Sequence, residues 1–150
     1  MNLLKPLNIQ PDVSMRKPIT SLQANGRKYV AQNPNGKLVH EYHDLDQRPY
    51  FQNKYPCVDY LLYVEEDQRT YLIELKGKEI EHAYEQILST FKVLRTQKVQ
   101  VTASKTRGRI VLSRVSGPDL RTASVKKSVI ECKKLGLEIL RQSRTLEETI

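Results

Sequence analysis

Residues 57–64 read Cys57-Val58-Asp59-Tyr60-Leu61-Leu62-Tyr63-Val64, and residues 70–76 read Thr70-Tyr71-Leu72-Ile73-Glu74-Leu75-Lys76. Both runs are rich in β-branched, aromatic and long apolar side chains, which suit a pleated and buried surface. The polar stretch Glu65-Glu66-Asp67-Gln68-Arg69 between them predicts a turn, and Gly77 ends the second strand. A helix is predicted next, from about Glu79. Ile80, Ala83, Tyr84, Ile87, Leu88, Phe91 and Leu94 recur at the spacing of one amphipathic helical face.

Working outward from this core, Val99 to Ser104 reads as a short strand and Arg109 to Val115 as a stronger one, stopped by Ser116-Gly117-Pro118-Asp119. Leu120 to Leu135 reads as a helix closed by Gly136. Leu137 to Gln142 reads as a last strand, with a frayed tail after it. Upstream, Arg27–Gln32 and Lys37–Tyr42 flank Asn33-Pro34-Asn35-Gly36, which predicts a β-hairpin. Residues 43–56 carry Pro49 and Pro56 and read as a loop. Residues 1–25, with three prolines, read as an irregular lead-in. The order hairpin, strand, strand, helix, strand, helix, strand predicts an α/β fold. Its central mixed β-sheet is flanked by helices, because the late helices must cross over between strands. At 150 residues one domain is expected.

Asp59 and Glu74 are ionisable residues inside apolar strands. Buried carboxylates are costly unless paired or bound to a metal. A tight turn centred on Asp67-Gln68 would pair Glu66 with Arg69. That register sets Asp59 opposite Lys76, with Glu74 diagonal on the same face, about 7 to 8 Å away. Two carboxylates at that spacing can share one divalent ion. Mg²⁺ takes hard oxygen ligands and keeps waters or substrate phosphate oxygens in its shell. The Leu75 carbonyl is a further candidate ligand, and Lys76 could orient or deprotonate a water. A one-residue slip would throw Asp59 to the other face.

At these residues the sequence resembles the PD-(D/E)xK, or restriction-endonuclease-like, nuclease superfamily. The pattern there is an acid on one strand, Glu-x-Lys on the next, and then a helix. Here it is Asp59, Glu74-Leu75-Lys76 and the helix from about Glu79, within residues 57–142. The resemblance implies a restriction-endonuclease-like core, with Asp59 and Glu74 as Mg²⁺ or Mn²⁺ ligands and Lys76 as the catalytic lysine. Gln86 matches a glutamine that some branches place on the following helix. One branch follows that glutamine with a tyrosine where this chain has Thr90. Members often carry an acid on an N-terminal helix; Glu41 is the candidate here, but it is expected on a strand. The implied activity is divalent-metal-dependent hydrolysis of nucleic-acid phosphodiester bonds, DNA above RNA. A chain of this size would dimerise to cut both strands of a duplex.

Charge fits such a partner. Lys plus Arg is 25 and Asp plus Glu is 17, for a net +8 and a pI near 9.5. Residues 92–144 hold 14 basic and 3 acidic residues, a net of +11, so the remainder nets −3. Arg95, Lys98, Lys105, Arg107, Arg109, Lys126 and Lys127 are candidate phosphate contacts, because each cation near a phosphate releases counterions. A solvated basic face explains the same charge. The alternatives are therefore a non-catalytic nucleic-acid-binding protein and an interaction module of a phage or defence system.

Other patterns argue for absences. Mean hydropathy is −0.56, and no apolar run reaches about 18 residues, so no membrane span is expected. Cys57 and Cys132 stand in apolar stretches without metal-ligand spacing, which implies a reducing, cytoplasmic setting. His40, His43, Asp44 and Asp46 look superficially like a metal cluster, but two histidines three apart on a strand end point to different faces. Tyr50, Phe51 and Tyr55 could stack on bases, although packing over the core is the commoner use of such a loop.

Overall fold

The computed structural model describes residues 1–75, 79–113 and 121–150. The predicted stop at Ser116–Asp119 falls outside them. Nine strands are described: β1 (Val13–Met15), β2 (Ile19–Ala24), β3 (Arg27–Gln32), β4 (Val39–Tyr42), β5 (Tyr60–Val64), β6 (Arg69–Glu74), β7 (Thr106–Leu112), β8 (Glu138–Ser143) and β9 (Thr145–Thr149). Helix α1 spans Ile80–Thr96 and α2 spans Ala123–Leu135, with short 3-10 turns at Lys5–Leu7, Leu45–Gln47 and Ala103–Lys105.

The fold is α/β. A six-stranded mixed sheet runs β1-β4-β5-β6-β7-β8, and a separate three-stranded sheet runs β2-β3-β9. β1, β4, β5 and β6 are successively antiparallel, whereas β6, β7 and β8 are parallel because α1 and α2 carry the chain back between them. The large sheet is buried on both faces. Leu61, Leu72, Ile110 and Leu112 pack with Ile87, Phe91, Leu94 and Val125 of the helices and with Leu3, Leu4 and Leu7 of the N-terminal segment. On the other face Leu62, Tyr71, Ile73 and Val111 pack with Leu22, Tyr29, Ala31 and Leu146 of the small sheet. Three layers result: helices, large sheet, small sheet. This explains why β5 and β6 read as continuous apolar runs instead of alternating ones.

Gly108 of β7 sits against Ile87 of α1 and Ile139 of β8. A Cβ there would lie 3.0 Å from Ile139 and 3.2 Å from Ile87. Gly136 closes α2 in the left-handed region at φ 80°, a conformation that costs glycine little.

Several expectations are corrected. Arg27–Gln32 and Val39–Tyr42 are strands, but they belong to different sheets and do not form a hairpin. Asn33 redirects the chain between them by bonding the Lys17 and Lys37 carbonyls and the Lys37 amide. The lead-in holds β1 and β2. The hairpin of this region is β2–β3, turned by Asn25 and Gly26 at φ 49° and 76°. That is the positive-φ pair a two-residue turn demands, and Asn-Gly is its usual sequence. Val99–Ser104 is irregular and then 3-10, and β7 begins at Thr106 instead of Arg109. The tail is not frayed: β9 pairs in parallel with β3.

The carboxyl ends of β6 and β7 form the candidate site

The β5–β6 register decides which acids meet. Val64, not Glu66, pairs with Arg69, and Tyr60 pairs with Ile73. The loop is longer than the predicted tight turn because its acids are used elsewhere. Glu66 accepts from the Leu38 amide and from Arg16, and Glu65 binds the N-terminal ammonium. Carried one step past Tyr60, the register sets Asp59 opposite Glu74 instead of Lys76. A displacement of two residues keeps both acids on the helix-facing side.

Asp59 is 1% exposed and Glu74 0%. Asp59 Oδ2 accepts the Leu75 amide at 2.9 Å, which ties the acid of one strand to the backbone beside the acid of the next. Lys76 lies outside the described residues. Helix α1 braces the segment before Asp59 from one side. The Gln86 amide donates to the Cys57 carbonyl at 3.3 Å, and Thr90 Oγ1 accepts the Val58 amide at 3.1 Å while donating to the Gln86 carbonyl. Gln86 is therefore a positioning residue for the segment before β5 that carries Asp59. Thr90, the departure from the tyrosine pattern, shares that work.

Two residues join the site that sequence reasoning did not place there. Asp46 stands on the 3-10 turn Leu45–Gln47, which is fastened to Asp59 by the Leu45 amide donating to its carbonyl at 2.9 Å. Burial pushes the Cys57 thiol well above its ordinary value, and the negative charges of Asp46, Glu74 and Asp59 add to that shift. Three carboxylates thus share one neighbourhood, and none of them is without a partner. The second residue is Arg27, 5% exposed, at the start of β3. Its guanidinium donates to the Leu75 carbonyl at 3.0 Å and to Ser113 Oγ at 3.2 Å, so it joins the ends of β6 and β7 to the small sheet. The Leu75 carbonyl, expected as a metal ligand, already accepts from this cation, which leaves it one lone pair.

Among the described residues no set of three or more His, Cys, Asp and Glu side chains is arranged to hold a metal ion. A Mg²⁺-type site asks for less. One or two carboxylates suffice when waters and substrate phosphate oxygens complete the shell. Asp59 and Glu74 are hard anionic donors at facing register positions, and in that chemistry the residues fit such an ion.

The other candidates lie elsewhere. His40 Nδ1 shares a 2.7 Å hydrogen bond with Ser14 and its ring stacks on Tyr63, whereas His43 Nε2 bonds Glu41. Glu41 is on β4, as expected, and is 2% exposed with Lys17 at 2.7 Å from it. Phe51 is fully buried, so it is a core residue and not a stacking platform. Cys57 and Cys132 are free and buried.

Six of the seven candidate phosphate contacts divide between the two ends of the large sheet. Arg109 is 3% exposed and inside the molecule. Glu148 holds it through two hydrogen bonds of 2.6 and 2.9 Å, and Glu138 lies 3.1 Å away. It is an internal ion-pair residue, which corrects its assignment as a surface contact. Arg107 pairs with Glu138 at 3.1 Å, and Lys105 donates to the Asp67 carbonyl. These two, with Arg95 and Lys98 at the end of α1, lie at the end opposite Glu74. Only Lys126 and Lys127, in the first turns of α2, stand at the carboxyl ends of the parallel strands.

The chain matches no family model, no curated protein and no solved structure. What it does must therefore be argued from its own geometry. Among the described residues no helix is long and apolar enough to cross a membrane.

Proposed function

We propose that this protein is a divalent-metal-dependent phosphodiesterase acting on nucleic acid, DNA above RNA. The observation that carries the reading is the buried pair Asp59 and Glu74, brought to facing positions at the carboxyl end of β6 and braced by α1. Two carboxylates at facing positions supply the hard oxygen donors that a Mg²⁺-type ion takes, with waters and phosphate oxygens completing its shell. Crevices at the carboxyl ends of strands are also where open α/β sheets bind ligands.

Asp59 and Glu74 would hold Mg²⁺ or Mn²⁺. When bound, such an ion neutralises charge on the scissile phosphate and makes its water more acidic. Gln86 and Thr90 keep the Asp59 segment against α1, and Arg27 fixes the backbone after Glu74. Lys76, two residues along the chain from Glu74, would orient or deprotonate the attacking water. Cutting both strands of a duplex would take two copies of the chain.

The test is cleavage of supercoiled plasmid, linear duplex, single strand, branched junction and RNA with Mg²⁺, Mn²⁺ or EDTA. Wild type is run beside Glu74→Gln and Lys76→Ala. Metal-dependent cutting that falls to background in both variants, with their unfolding midpoints unchanged, is the expected result. No cutting by wild type on any substrate sinks the reading and leaves a binding module in its place.

A further inference from the structure

At the amino-terminal ends of β7 and β8 the strand arginines are spent inside the molecule, and the exposed cations that remain there are Arg95, Lys98 and Lys105. Arg107 and Arg109 are tied to Glu138 and Glu148, and Lys105 to a loop carbonyl. The carboxyl ends are different. Arg121, Lys126 and Lys127 are exposed at the start of α2, Arg141 and Arg144 are exposed at the end of β8, and Lys28 is exposed on β3. Among the described residues none of the six has an ion-pair partner. Arg141 donates to the Tyr84 hydroxyl at 2.8 Å. The single acid of α2, Glu131, is already paired with Lys92.

The topology brings these cations to the same edge of the large sheet. The chain leaves β8 at Arg144, whose amide bonds the Leu112 carbonyl at 2.7 Å and whose carbonyl accepts the Lys28 amide at 2.8 Å. This corner carries the chain from the large sheet to the small one. Lys28 and Arg144 therefore flank the end of β8 from the small-sheet side, whereas Arg141, bonded to Tyr84 of α1, and the cations of α2 flank it from the helix side. An open pocket of about 700 Å³ on the outer face of α2 is lined by Lys126, Lys127, Lys134, Ile130 and Glu131.

We propose that this edge is the docking track for the nucleic-acid backbone. A phosphate chain would enter over α2 and pass the β8–β9 corner toward Glu74, and the cations at the opposite end would take no part. The inference deepens the phosphodiesterase reading and rests on it for the identity of the polyanion. The cations come from three elements, one in each layer, around a strand end, which suits a ribbon of phosphates. A membrane-surface segment would instead set them opposite one apolar helical face.

The test is equilibrium binding of a labelled duplex DNA, and of a single strand of the same sequence, in EDTA across a salt titration. Wild type is compared with Lys126→Ala/Lys127→Ala/Arg144→Ala and with Arg95→Ala/Lys98→Ala/Lys105→Ala. Both triple variants lose the same charge, and circular dichroism checks their folding. The track variant is expected to lower the slope of log K against log salt by about 0.9 per lost contact on duplex, about 3 in all. The other variant should keep the wild-type slope. Equal losses in both variants would overturn the track. So would tight binding to phosphatidylserine vesicles in place of DNA, or no DNA binding at all. Because metal is absent, a protein that binds through this edge yet cuts nothing would keep the inference and lose only the catalytic reading.

Discussion

Arg109 and Glu74 sit on adjacent strands, one register step apart and on opposite faces of the same sheet, and both are almost wholly buried. Their surroundings differ. Arg109, between the two sheets, is closed off by Glu148, Glu138 and the Tyr71 ring. Glu148 also accepts the Tyr29 hydroxyl at 2.8 Å. Opposite charges and hydrogen bonds meet there, so the cluster neutralises itself. On the helix-facing side Glu74 shares its neighbourhood with Asp59 and Asp46, which carry its own sign. The nearby guanidinium of Arg27 binds neutral oxygens of Leu75 and Ser113. Among the described residues no carboxylate pairs with Arg27. A self-neutralising cluster is what a fold needs to carry a buried charge.

The sharpest way to break this comparison is to remove one acid from each side. Glu148→Gln leaves Arg109 buried with only the half-exposed Glu138, and is expected to cost about 3 kcal/mol in urea unfolding. Glu74→Gln keeps the shape of the side chain and one acceptor oxygen, and is expected to cost less, about 1 kcal/mol. Equal costs would mean that both clusters are structural.

Arg27→Lys comes next. It keeps the charge but loses the fork that reaches two acceptors. A stability loss of about 1 kcal/mol is expected from the stranded Leu75 carbonyl. In a cleaving protein kcat should fall with KM for DNA unchanged, and added guanidinium should recover part of the rate. A change in KM alone would place Arg27 on the substrate instead of behind the site.

The smallest effect is a common alkaline response. Burial pushes the thiol of Cys132 from 9.0 up to about 11, and it raises Cys57, Tyr29 and Tyr71 as well. A group whose folded pKa is raised holds its proton longer in the folded state. Stability is therefore full below the ordinary values and falls as pH rises through the window above them. The urea midpoint should drop between about pH 9 and pH 11. A midpoint that holds across that window would mean these groups open to solvent without unfolding.

Local patterns were legible where local physics governs. The period of α1, the apolar runs of β5 and β6 and the glycine stop after α2 all express short-range preferences, and they stand where expected. Asn25-Gly26 was equally legible as a hairpin turn, but Asn33–Gly36 drew the pairing instead because both flanking runs are β-prone. Arg107 and Arg109 looked like surface cations because their partners, Glu138 and Glu148, lie far along the chain. Asp46 looked like loop polarity for the same reason.

The sequence by itself determined which residues are apolar, where the two helices and the central strands run, and that one acid ends β6 while another stands just before β5. Short-range sterics and hydrophobic burial act on neighbours, so the chain order carries that information. Tertiary structure alone decided which acids face each other, because a loop lengthened by Glu65 and Glu66 moved the register by two residues. It also decided which of the many cations remain unspent, because ion pairing depends on residues that only the closed three-layer packing brings within reach.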